Sequence, residues 1–148
     1  MGSLLHNTFL LCALVGLLLG CGPLNAPTIE SPSTSQLSEF IRKASISLPV
    51  SAQPIGWREE HGMDEALWLQ VRMPAQDFQS FLDNSPFHES TLTTNDPYQI
   101  IQFREFLPKP PAHYRAGQQS LPNGQVLNMV VDESDTENVV VYLMWHET

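Results

Sequence analysis

Beyond the first twenty residues, four histidines (His61, His88, His113 and His146) and sixteen Asp and Glu side chains are the groups that could hold a metal or move a proton. Their spacing matches no preformed motif. Zinc proteases carry His-Glu-x-x-His, two histidines one helical turn apart, whereas here no two histidines lie closer than 25 positions. A metal site would have to be assembled in space from separate segments. The densest stretch, "GWREEHGMDEALW" at 56–68, holds two tryptophans, one histidine and four acids. It reads as a hairpin turning at His61-Gly62, with Glu59, Glu60, Asp64 and Glu65 on a solvated rim and Trp57 and Trp68 pairing across the strands. Trp57, His61 and Trp68 are therefore candidate binding residues, joined by His113 and Tyr114 from "PAHYRAG". A hydrolase would use His61 or His113 with nearby carboxylates, yet no Gly-x-Ser-x-Gly elbow is present and a triad is defined by geometry. The acidic run "DESDTEN" offers Asp132, Asp135 and Glu137 as oxygen ligands of the kind calcium takes. It lacks the EF-hand order of ligands and reads as a hairpin tip. No catalytic residue, metal ligand set or cofactor is assigned.

The elements that must position these residues are legible in part. In "SQLSEFIRKA", Leu37, Phe40 and Ile41 recur at helical spacing, which predicts a helix over Gln36–Lys43 with Thr34 or Ser35 as N-cap. Ile46 and Leu48 alternate with serines and predict a brief strand ended by Pro49. Leu67, Leu69, Val71 and Met73 alternate with Trp68, Gln70 and Arg72, the period of a half-buried strand. Pro74 then opens a helix over Gln76–Asp83, whose Phe78, Phe81 and Leu82 form one apolar stripe. Asp96-Pro97 reads as N-cap and first residue of a helical turn, although Ile101 and Phe103 also fit a strand, and "LPKPPAHYRAG" reads as an extended surface crossing. "QVLNMVVDE" and "NVVVYLMWHE" are the strongest strand sequences. The second is apolar on both faces and belongs in the interior of a sheet.

The balance of charge removes one class of partner. Seven Lys and Arg against a net charge of −9 cannot build the continuous positive surface that a phosphate backbone requires, so nucleic acid is excluded as a partner. The only cysteines are Cys12 and Cys21. Beyond residue 21 the chain therefore has no thiol for a disulfide, a thiolate ligand or a nucleophile.

The N-terminus supplies an address. The apolar run from Phe9 to Leu19 is shorter than the roughly 20 residues that span a bilayer and matches the h-region of a secretory signal. Leu18-Leu19-Gly20-Cys21 then resembles the lipobox of bacterial lipoproteins, in which the cysteine becomes the acylated N-terminus. "GPLNAPTIESPSTS" (22–35) has no periodic apolar face and would span about 20 Å as a random coil. The chain thus divides into a signal peptide (1–20), a lipidated Cys21 with a tether (21–35), and one domain (36–148).

Residues 46–86 also resemble a segment of uncharacterised bacterial lipoproteins, through Leu48-Pro49, Ser51-Ala52, Gly62-Met63-Asp64, Leu67-Trp68-Leu69, Met73-Pro74 and Phe81-Leu82. The resemblance implies a location in the cell envelope and a small α+β domain; it carries no activity. The sequence as a whole predicts an α+β fold, an antiparallel sheet of four or five strands with one or two helices packed on one face. Leu67, Leu69, Val71, Phe78, Phe81, Leu82, Val130, Val141 and Leu143 are the expected core. The expected role is a non-catalytic binding or accessory module, held to a membrane by its lipid and acting on another envelope protein or an extracytoplasmic ligand. The alternatives are an envelope hydrolase and a metal-dependent binder.

Overall fold

A computed structural model describes residues 29–94 and 96–148. The strongly patterned segments pair with one another in a single antiparallel sheet. Its strands are β1 (Gln53–His61), β2 (Glu65–Pro74), β3 (Thr93–Thr94), β4 (Tyr114–Leu121), β5 (Gln125–Asp132) and β6 (Asn138–Glu147), in the spatial order β1-β2-β6-β5-β4-β3. Among the described residues there are six strands rather than four or five. The additional ones are β4 and the two-residue β3. Ile46 and Leu48 form no strand; the backbone there leaves a helix and is tied down by the Ser47 N–H donating to the Asn84 carbonyl at 2.9 Å.

The first helix, α1 (Thr34–Ala44), starts earlier than its apolar stripe, because Ser33 rather than Thr34 or Ser35 is the N-cap. The Ser33 hydroxyl accepts from Gln36 N–H at 3.3 Å, and the Gln36 side chain accepts from Ser33 N–H at 2.9 Å, a reciprocal capping box. The helix ends where Ser45 turns left-handed at φ 54°. After β2, Ala75–Asp77 form a 3₁₀ turn that leads into α2 (Phe78–Asp83). Pro74 closes the strand and stands just before that turn, rather than inside a helix. A third helix, α3 (Pro97–Ile101), begins at the Asp96-Pro97 signal, with the Asp96 carboxylate accepting from Tyr98 N–H at 2.9 Å.

The sheet divides the apolar side chains into two cores. On the first face α1 and α2 cover Trp57, Leu67, Leu69, Val71, Met73, Val141, Leu143 and Trp145, with Phe40, Phe78, Phe81 and Leu82 supplied by the helices. On the second face the shorter α3 and the turns after it lay Ile100, Phe103, Phe106 and Leu107 over Trp68, Val130 and Tyr142. Helices therefore lie on both faces. Val130 belongs to the second core, apart from the other expected core residues. Strand β6 alternates between the two, with Val141, Leu143 and Trp145 on the first face and Tyr142 on the second, and it lies between β2 and β5 as a two-faced apolar strand should.

Candidate functional site

The predicted site residues separate. Trp57 is opposite Leu69 and Trp68 is opposite Arg58, so the two indoles occupy opposite faces and do not pair across the hairpin. His61 pairs with Glu65, which centres the turn on Met63 rather than on His61-Gly62, and the resulting register leaves Trp68 one residue short of the position opposite Trp57. Trp57 packs edge-on to Phe40, ring centroids 6.0 Å apart, inside the first core. His61 stands exposed at the hairpin end of the sheet, 3.7 Å from Glu59. His113 immediately precedes β4 at the opposite end, where its carbonyl accepts from Glu133 N–H. The structure does not bring these two histidines together. Trp68 and Tyr114 both enter the second core. Cys21 lies outside the described residues.

The "DESDTEN" loop turns on its own carboxylates. Asp132 accepts from Ser134 N–H at 2.9 Å, and Asp135 accepts from Glu137 N–H at 2.8 Å. That Glu137 bond, followed by one from Asn138, holds the Asp135 pKa below its ordinary value. Among the described residues no three His, Cys, Asp or Glu groups converge in a way that could hold a metal ion.

Among the grooves on the surface of the described residues, two lie beside this loop. One, of ≈ 500 Å³, sets Arg72 against Asp132 and Asp135. The other, of ≈ 410 Å³, contains Arg115 with Glu89 and Glu133. Arg115 grips Glu133 through two bonds, Nε at 3.0 Å and Nη2 at 2.5 Å, and also bonds Glu89. The Glu133 bond, working against burial, raises the guanidinium pKa above its ordinary value. This network pins the turn before β3 to β4 and to the β5–β6 loop, a structural task that sequence spacing does not reveal.

A third groove lies on the second face at the hairpin end and has a volume of ≈ 440 Å³. Its floor is Ala66 and Met144 over Trp68, and Met63 stands at its mouth fully exposed. Glu60, Asp64, Glu65 and Glu147 line it, together with His146, and no Lys or Arg does. Glu65 is bonded to Lys43 and Glu60 to Arg58; Asp64 and Glu147 make no ion pair among the described residues. Arg58 stacks on the Trp68 ring at 4.7 Å and reaches Glu105 at 2.5 Å, closing one side. Of the residues chosen from sequence only Trp68 belongs to this groove. Met144 was missed because a methionine on a strand normally signals packing, and Met63 because the turn was expected at His61-Gly62 rather than around Met63. Comparison with protein-family models, with curated proteins and with solved structures finds no match to this chain.

Proposed function

We propose that the protein is a lipid-tethered binding or accessory module of a bacterial cell envelope, without catalysis of its own. The observation that carries the proposal is the apolar run Phe9–Leu19 closing on Leu18-Leu19-Gly20-Cys21, a signal of export and acylation. Two further features support it. No helix among the described residues is long and apolar enough to cross a membrane. Glu30 makes an isolated antiparallel bridge to Trp57 and Ser33 caps α1, so chain following Cys21 enters the domain at a fixed place on the β1 edge. The anchoring physics follows from chain number, since each buried methylene contributes about 0.8 kcal/mol and stable attachment takes more than one acyl chain.

The test is intact mass spectrometry of the chain expressed in a bacterial host. The expected species begins at Cys21 and carries acyl chains, and Cys21→Ser leaves the chain unacylated and out of the membrane fraction. A membrane-bound wild-type protein that retains Met1, or a Cys21 bearing no lipid, refutes the anchor.

A further inference from the structure

We propose that the groove at the hairpin end of the second face docks a cationic peptide segment with apolar neighbours, contributed by a partner protein. The proposal rests on the reading of the domain as a binding module and names the class of partner.

Charge separates this groove from the other two. Each of those contains its own arginine, Arg72 in one and Arg115 in the other, already set against carboxylates. Here four acidic residues line the groove without a lining Lys or Arg; Glu65 is held by Lys43 and Glu60 by Arg58, while Asp64 and Glu147 make no ion pair among the described residues. An incoming cation meets two carboxylates, Asp64 and Glu147, that no internal ion pair neutralises among the described residues, which steers encounter and disfavours anionic ligands. A bare metal ion does not fit, because no three such ligands converge among the described residues. The floor asks for hydrocarbon instead. Met63 is exposed in full, and Met144 and Ala66 are half-buried over Trp68. Thioether chains adapt to irregular apolar side chains. A second copy of this chain is a poor occupant, because it carries net charge −9 and three of its seven Lys and Arg, Lys43, Arg58 and Arg115, are held in internal ion pairs. An anionic membrane surface is repelled by the same rim.

The test is calorimetry and amide NMR on the full chain in zwitterionic detergent micelles. The probes are the peptide Leu-Arg-Leu-Lys-Leu, its counterpart Leu-Glu-Leu-Glu-Leu, and spermidine. The basic peptide is expected to bind, with shifts confined to residues 60–68 and 144–147 and affinity falling as salt rises. Asp64→Lys with Glu147→Lys should weaken it about tenfold and admit the acidic peptide. Met63→Ser, at a fully exposed position, should weaken it about threefold by removing apolar contact. Unchanged amide spectra away from the groove show that each variant is folded. The proposal is overturned if the two peptides bind alike, if spermidine matches the basic peptide, if the shifts fall around Arg72 and Arg115, or if nothing binds. In a parallel capture from solubilised membranes, a partner retained equally by wild type and the charge-reversed variant would preserve the binding-module reading while removing the groove from it.

Discussion

The two faces of the sheet differ in what covers them. The first is roofed by α1 and α2, whose hydrophobic layer runs from Phe40 to Trp145 and encloses two indole N–H groups, of Trp57 and Trp145, that find no hydrogen-bond partner among the described residues. The second is roofed only by residues 97–107, and that cover is fastened to the sheet by polar latches. Trp68 Nε1 donates to the Gln102 carbonyl at 3.3 Å, Gln99 Nε2 donates to Gln118 Oε1 at 3.3 Å, and Arg58 meets Glu105. Beneath the second face Asn128 is wholly buried, with no hydrogen-bond partner for either side-chain atom. A layer built from many large interlocked side chains is expected to open only with the sheet as a whole. A cover held by a few latches opens locally, at a lower free energy than global unfolding. The same incomplete roof leaves Trp68 and Met144 beside the acidic groove, so the stable face builds the molecule and the looser one meets its surroundings.

The comparison can be tested by unequal losses. The largest is expected at Phe81, fully buried in the first core, where Phe81→Ala should cost about 3–5 kcal/mol in chemical denaturation. An unmoved midpoint would contradict that packing. Phe103 is equally buried in the second core, yet Phe103→Ala should cost less globally. Its signature is faster amide exchange in residues 97–107 with β5 and β6 still protected. Equal global losses at the two phenylalanines would erase the distinction between the faces.

A smaller effect is expected in alkali. Burial, and next the charge of Asp132, push the Tyr142 phenol up to about 12, against about 10 in an unfolded chain. Between those values the unfolded state has released a proton that the folded state retains. The contribution of neutral Tyr142 is complete below pH about 10 and is lost as pH rises toward 12. Tyr142→Phe should flatten that decline in urea titrations, and a decline that survives the substitution belongs to other groups. The smallest effect has the opposite sign. Asn128→Leu removes an unpartnered buried amide and should raise stability by about 1 kcal/mol. A loss at this position would show that the amide is satisfied by something other than protein.

What could be read from sequence was what local chemistry dictates. Alternation fixed β2, the apolar stripe fixed the burial of Phe78, Phe81 and Leu82, and Asp96-Pro97 marked α3. Strand β4 was illegible because "YRAGQQSL" has neither alternation nor β-branched side chains; it is a strand because β5 pairs with it along its length. Gly117 is needed there, since a Cβ would lie 2.9 Å from Leu92 and 3.0 Å from the Thr91 carbonyl. The tryptophan pairing failed through a single residue of turn geometry, which composition does not encode. The groove was legible in one member, Trp68, and hidden in the rest, because its floor joins β2 to a strand some eighty residues away in the chain.

The position of β6 between β2 and β5 has a consequence for how the chain is made. Two hairpins, β1–β2 and β4–β5, can zip from local turns as they leave the ribosome, but each keeps an unsatisfied inner edge until the segment from Asn138 to Glu147 slots between them. Nascent protein is thus two sticky fragments awaiting a keystone. Any chaperone that engages the growing chain would meet a substrate that stays open until translation of that keystone is finished.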